Sequence, residues 1–159
     1  MVIIVGSGAG GGILARELAV SGMDVTIIEK GPYIESGDAF NYYDAYNDDV
    51  DLLTTTCIGG ATIVSMSNMV HALDSELHEY GIDISEEYKY VEELIDVHEL
   101  DDSHIGRGTQ LFLDAGRELG LNTVKMPKAI REKDCIQCGK CAFGCPADAK
   151  WSGKDFVDE

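Results

Sequence analysis

Three glycines near the start of the chain, in the pattern Gly6-x-Gly8-x-x-Gly11, constrain its fold more than any other feature. They follow a short apolar run, residues 2–5. They precede a stretch where Ile13, Leu14, Leu18 and Ala19 recur at helical spacing up to Gly22, a natural C-cap. Residues 24–28 (DVTII) are apolar and β-branched and predict a buried strand. Strand, glycine-rich turn, helix and strand in this order make a βαβ unit. Apolar runs without alternation suit a parallel sheet covered on both faces.

Each glycine in that turn has a physical reason. Gly6 allows the tight turn, Gly8 lets the backbone approach a pyrophosphate, and Gly11 lets the helix pack close to the strand. The helix N-terminus offers free N–H groups and the positive end of its dipole to phosphates. Glu29 ends the second strand, where a carboxylate accepts ribose hydroxyls and repels a 2′-phosphate. A glycine-rich turn without a ligand is the bland alternative. The loop alone does not choose between FAD and NAD; its place at the start of the chain is the flavoprotein arrangement. The expected fold class is α/β, with a Rossmann-like FAD-binding βαβ unit in an incomplete parallel sheet, helical insertions and a C-terminal cysteine-rich loop segment.

Beyond Gly31-Pro32, residues 33–57 are polar and aromatic (Tyr33, Phe40, Tyr42, Tyr43, Tyr46) and read mostly as loop. Gly59-Gly60 opens a further segment, 61–69. Residues 74–80 predict a short helix stopped by Gly81. Ser85 with Glu86 and Glu87 starts a helix whose inner face is Tyr88, Val91, Leu94, Ile95 and His98. Residues 109–119 predict another, with Leu111, Phe112, Ala115 and Leu119 inward and Gly120 as its cap. The domain reading is 1–126 for the dinucleotide-binding part, with an acidic insertion at 33–106, and 127–159 for the cysteine-rich segment.

The 159 residues carry a formal charge of −17, and it is concentrated. Residues 33–106 hold 18 acidic side chains against one base, Lys89; residues 1–32 and 107–159 come to −1 and +1. A solvated acidic face, a salt-adapted host and a docking surface for a basic partner all fit. Such acidity argues against nucleic acid as a partner. No apolar run approaches about 18 residues, so no membrane span is expected. The opening MVIIVGSG lacks a signal peptide's basic and long apolar regions, which points to the cytoplasm. There, cysteines are first read as metal ligands or redox groups.

Cys135, Cys138, Cys141 and Cys145 form C-x2-C-x2-C-x3-C followed by Pro146, the bacterial ferredoxin spacing. A 4Fe-4S cluster is the leading expectation; a zinc site and a structural run without metal are the alternatives. In two-cluster ferredoxins the cysteine before proline ligates the other cluster, so a remote ligand is a further possibility. Cys57 is the other cysteine, and a packed, inert thiol is its simpler reading. Lys133, Lys140 and Lys150 lie close in sequence to the thiols, either offsetting their charge or as surface lysines.

Taken in this order, the motifs resemble the N-terminal part of the glucose–methanol–choline (GMC) flavin oxidoreductases. Residues 2–32 resemble that family's FAD-binding opening. Cys57-Ile58-Gly59-Gly60-Ala61-Thr62 sits where the family has its second Gly-Gly signature, with Ala61 and Ser65 departing from its usual residues. Residues 138–141 and 144–152 resemble a cysteine-containing branch that includes long-chain-alcohol-oxidising members. The resemblance implies FAD contacts at Gly6, Gly8, Gly11, Gly12, Glu29, Lys30, Gly59, Gly60 and Thr62. It also implies a substrate domain and a late catalytic histidine. Neither is expected within these residues, and His71, His78, His98 and His104 match no catalytic motif.

The expected function is the FAD-binding portion of an oxidoreductase acting on CH–OH donors, with no catalytic residue of its own. It would be a fragment or one chain of a split enzyme, completed by a substrate-domain chain or the missing remainder and acting on a small-molecule alcohol. In that reading a 4Fe-4S cluster relays electrons. A non-catalytic flavin and iron–sulfur electron-transfer subunit is the second reading. A structural zinc-binding or inactive fragment is the third.

Overall fold

The computed structural model describes the backbone of residues 1–47 and 51–159. The chain divides into two compact units, Met1–Ser67 with Asp134–Glu159, and Asn68–Lys133.

The first unit begins with β1 (Val2–Val5), α1 (Ala9–Val20) and β2 (Val25–Ile28). The strands pair in parallel, with Val2 opposite Val25 and Val5 opposite Ile28. This is a mixed α/β arrangement around a small parallel sheet. Helix α1 ends at Val20, and Gly22 follows in the left-handed region (φ +87°). That is the conformation a helix-terminating glycine adopts without strain.

Burial along the strands corrects one expectation. They were read as buried on both faces, but Ile4 is buried while Ile3 and Val5 are exposed, as is Ile28. Ile4 faces α1; among the described residues no layer covers the other side. The apolar run alone carried no information about which faces are covered.

Residues 33–57 are also more ordered than a loop. Ser36–Tyr42 forms a 3-10 helix, and β3 (Tyr43–Asn47) pairs antiparallel with β4 (Asp51–Thr55). Residues 48–50 lie outside the described residues. Tyr and Thr favour strands, but the interspersed Asp and Asn give the opposite local signal. Ile34, Ala39, Cys57, Ile63 and Val64 form the buried apolar cluster. The terminal helix α5 (Asp155–Asp158) packs beside α1, where Phe156 lies close to Gly12 and edge-on to Trp151.

The second unit contains α2 (Asp74–Glu79), α3 (Ser85–Leu94), β5 (Val97–His98), α4 (Arg107–Glu118) and β6 (Lys128–Ala129). Helix α5 (Asp155–Asp158) belongs to the first unit. Asp83 begins α3 by accepting from the Ser85 backbone N–H and Oγ at 3.0 and 2.6 Å. Tyr88, Val91, Leu94 and Ile95 are its less exposed face, as the spacing predicts. His98 is not on it: the helix ends at Leu94, Asp96 turns the chain at φ +55°, and His98 pairs with Lys128 in an antiparallel ladder.

Helix α4 turns the other way from expectation. Leu113 and Gly116 are buried, while Leu111, Phe112, Ala115 and Leu119 are exposed. The reason is Gly116. A Cβ there would stand 2.3 Å from Thr123 Cγ2, so the missing side chain admits the returning segment on that face. A pattern that counts only large apolar residues cannot register it. Leu113→Ala should therefore cost about 2–5 kcal/mol of stability. Phe112→Ala should stay within about 0.5 kcal/mol, both read by urea unfolding.

Candidate functional site

The turn between β1 and α1 is built by its glycines. Gly6 sits at φ +88° and donates its N–H to Ile28 O at 2.8 Å, tying the turn to β2. A Cβ on Gly11 would lie 2.0 Å from Gly6 O, so helix and turn meet only with glycine there. Gly12 faces Gly153 O, Phe156 and Ser7 O.

Gly8 is different. Its backbone (φ −66°, ψ −172°) is open to any residue, and a Cβ there would meet nothing within 4 Å. Nothing in the protein requires glycine at this position. Gly8 is also the N-cap of α1, no side chain caps that end, and its first turn has no acidic residue. An uncapped helix start of this kind offers N–H groups and the positive end of the dipole to an anion.

Beside that turn, Ser7 is buried and bridges two segments. Its N–H and Oγ both donate to Glu29 Oε2, at 2.8 and 2.7 Å, and its Oγ accepts the Gly59 N–H at 3.1 Å. Gly31 N–H donates to Glu29 Oε1 at 2.9 Å. Burial alone would raise the Glu29 pKa, but the bonds from Ser7, Gly31 and the Lys30 backbone outweigh it and hold it below the ordinary carboxylate range. Lys30, expected among the cofactor contacts, is exposed, and this bond to Glu29 comes from its backbone.

The second glycine pair comes to the same place. Gly59 (φ +86°) and Gly60 (φ +56°) both need the left-handed region. A Cβ on Gly60 would lie 3.3 Å from Gly8 Cα, and one on Gly59 2.9 Å from Lys154 N. Gly153 completes the group, with a Cβ position 3.1 Å from Ser7 O and 3.3 Å from Gly59 O. Thr62 links the last two segments: its Oγ1 donates to Gly59 O and accepts the Gly153 N–H at 2.8 Å. So Gly6, Gly8, Gly11, Gly12, Glu29, Gly59, Gly60 and Thr62 are brought together.

Residues 148–156 form a wall beside these turns, a place that the sequence reading of residues 144–152 and of Lys150 does not give them. Lys150 is buried at 3% exposure, and its Nζ donates to the carbonyls of Thr62, Ile63 and Ser65, each at 2.8 Å. Desolvation lowers its pKa to about 8 against the pull of nearby acidic groups. Lys154 is buried too; its Nζ reaches Ser36 Oγ at 3.3 Å, and Ser36 donates to Asp148 at 2.7 Å. The indole Nε1 of Trp151 is buried with no acceptor among the described residues. No local pattern marks the two buried lysines, because their acceptors lie 85 to 118 residues away.

The cysteine run adjoins this wall without forming a ligand set. Cys138 is exposed, Cys135 and Cys141 are half-buried, and Cys145 is buried with its Sγ accepting the Ala149 N–H at 3.3 Å. Gly144 (φ +80°) presses the run onto residues 36–39: a Cβ there would overlap Ser36 O and stand 2.8 Å from Ala39 Cβ. Among the described residues no three His, Cys, Asp or Glu side chains are grouped to hold a metal ion. Cys57 sits in the apolar cluster, its thiol directed at Gly60 O. The run as placed does not fit a cluster. The four histidines lie in the other unit. No helix among the described residues is long and apolar enough to cross a membrane.

The profile of the family described as GMC oxidoreductase matches residues 3–157. A long-chain-alcohol oxidase of Arabidopsis thaliana is 28% identical, over 93% of this chain and 22% of its own length. A second from that plant is 31% identical, over 93% and 23%. An uncharacterised GMC-type oxidoreductase of Mycobacterium tuberculosis is 27% identical, over 94% and 28%. The chain thus spans about a quarter of the length of the curated relatives it matches.

Two pH dependences follow. A carboxyl with a lowered folded pKa adds stability near neutrality, and that stability is lost as pH falls through the folded value. Ser7→Ala removes the Oγ bond that lowers the Glu29 pKa and keeps the backbone N–H bond, so the wild-type advantage in urea unfolding should shrink below about pH 4. Lys150 is depressed in the fold to about 8. The unfolded chain then holds the extra proton up to about pH 10.4, so wild type should gain stability over Lys150→Met as pH rises through that window.

Proposed function

This chain belongs to the GMC oxidoreductases, and from that membership we propose that it is the FAD-binding N-terminal part of a flavin-dependent oxidoreductase acting on alcohols. Gly8 carries the reading. Gly10, Gly106 and Gly108 also have open space at the Cβ position; what sets Gly8 apart is that it is the uncapped N-cap of α1, next to Ser7 on Glu29, where a ligand can approach the backbone.

The free N–H groups of α1 would hold the pyrophosphate. Glu29 would accept a ribose hydroxyl; Oε2 is taken twice by Ser7, so Oε1 has the room. The anionic Glu29 disfavours a 2′-phosphate, which FAD lacks. Gly59, Gly60 and Thr62 would shape the backbone wall toward the flavin ring. When bound, FAD supplies an acceptor for hydride from a carbon bearing a hydroxyl.

Alcohols are the proposed substrate class because two relatives are named long-chain-alcohol oxidases. The substrate-binding part and the proton-accepting base are assigned to sequence outside these 159 residues, in the same protein or a partner chain. The electron relay expected from the cysteine spacing is left out, because the thiols are not gathered. In this reading the run serves as a packing segment.

Titrating the purified chain with FAD and with NAD tests the proposal by flavin fluorescence and calorimetry. FAD should bind and NAD should not. Gly8→Val should keep a cooperative unfolding transition, because the protein leaves room for it, and lose FAD. FAD binding by Gly8→Val at wild-type affinity, or preference for NAD, would refute the assignment. Gly11→Ala should instead lower stability, since its Cβ has no room against Gly6 O.

A further inference from the structure

We infer that Lys150 is a positioning residue whose ammonium, by gripping the carbonyls of Thr62, Ile63 and Ser65, sets the turn that holds Gly59 and Gly60 against the nucleotide loop.

An ammonium has three N–H donors and no acceptor. Here all three are used, on acceptors drawn from four consecutive residues. Those carbonyls lie at the end of the 3-10 helix Gly60–Val64, where C=O groups run short of intrahelical donors and are partly negative; Thr62 O also accepts the Ser65 N–H and Oγ. One cation satisfies them together, and its distance to each limits how the turn can curve. No carboxylate among the described residues pairs directly with Nζ, so the grip is on backbone. An apolar side chain of equal length would fill the space and leave three carbonyls without this donor.

The effect reaches the site through short links. Thr62 donates from Oγ1 to Gly59 O, Gly59 donates to Ser7, and Ser7 donates to Glu29. Gly60 stands against Gly8 Cα. A shift of residues 62–65 therefore moves the backbone that borders both glycine turns. Lys150 is not the surface lysine of one sequence reading; the thiols of Cys141 and Cys145 do lie near enough to act on its charge, but its hydrogen bonds go to backbone. The cost of burying the cation, seen in its lowered pKa, is consistent with a group held for its donors.

The inference rests on the proposed function only in naming the bordering ligand as FAD. Lys150→Met and wild type are compared by amide hydrogen exchange at residues 59–65 and 153 without ligand, and by FAD affinity. With volume kept and donors lost, Met should speed exchange there, leave β1 and α1 unchanged, and weaken FAD by about tenfold or more. Wild-type exchange in Lys150→Met would overturn the inference, because packing alone would then suffice. If Lys150→Met does not fold, Lys150→Ala is refolded with propylammonium or with 1-propanol. Recovery of cooperative unfolding with the cation only supports the inference; equal recovery, or none, overturns it. If wild type binds no FAD, the proposed function fails, while the exchange comparison still decides the role of Lys150.

Discussion

The hydroxyl of Ser7 serves two segments at once. It donates to Glu29 at the end of β2 and accepts from Gly59, a residue 52 positions later. A hydroxyl is suited to this because it is donor and acceptor in one atom. Being buried, it has no water to replace either partner, so both bonds must persist for the local arrangement to hold. The consequence is geometric. The end of the second strand, the nucleotide loop and the Gly59–Gly60 turn take their relative places from one side chain. The lowered pKa of Glu29 comes from the same contact, so shape and charge at that corner are set together.

What could be read from the sequence was what depends on neighbours in sequence. Gly6, Gly11 and Gly22 each answer a steric demand within a few residues, and β1, α1 and β2 appear close to where those demands place them. The α3 face was legible because its apolar residues are large. The α4 face was not, because a glycine and a single leucine define it and the exposed side carries the bulk. Ser7 was passed over as a spacer between glycines. Lys150 and Lys154 were out of reach for another reason. Buried lysines depend on acceptors some 85 to 118 residues away, and no local pattern marks them.

The cysteine run shows the limit of spacing as an argument. Four thiols at ferredoxin intervals describe a ligand set only if the backbone turns them inward. Here Gly139 and Gly144, which lie between the thiols, adopt positive φ. Gly144 uses that freedom to pass close to Ser36, and the Cys145 sulfur accepts an N–H of its own turn, a bond that a ligating thiolate also makes. The same glycines that would allow a cage also allow a segment to lie flat against its neighbour.

Gly153 has a consequence for the order in which this site comes into being. The glycine turn at residues 6–12 is made well before the segments that close on it. Its last wall is the last to be synthesised: Gly153 binds Thr62 across 91 residues, and Asp148 binds Ser36 across 112. Contacts of such separation form late, because the loop entropy between them is lost before they contribute anything. During translation the glycine turns therefore wait, assembled locally but open on one side. A corner of this design closes only once residues 148–153 have been made and can reach it.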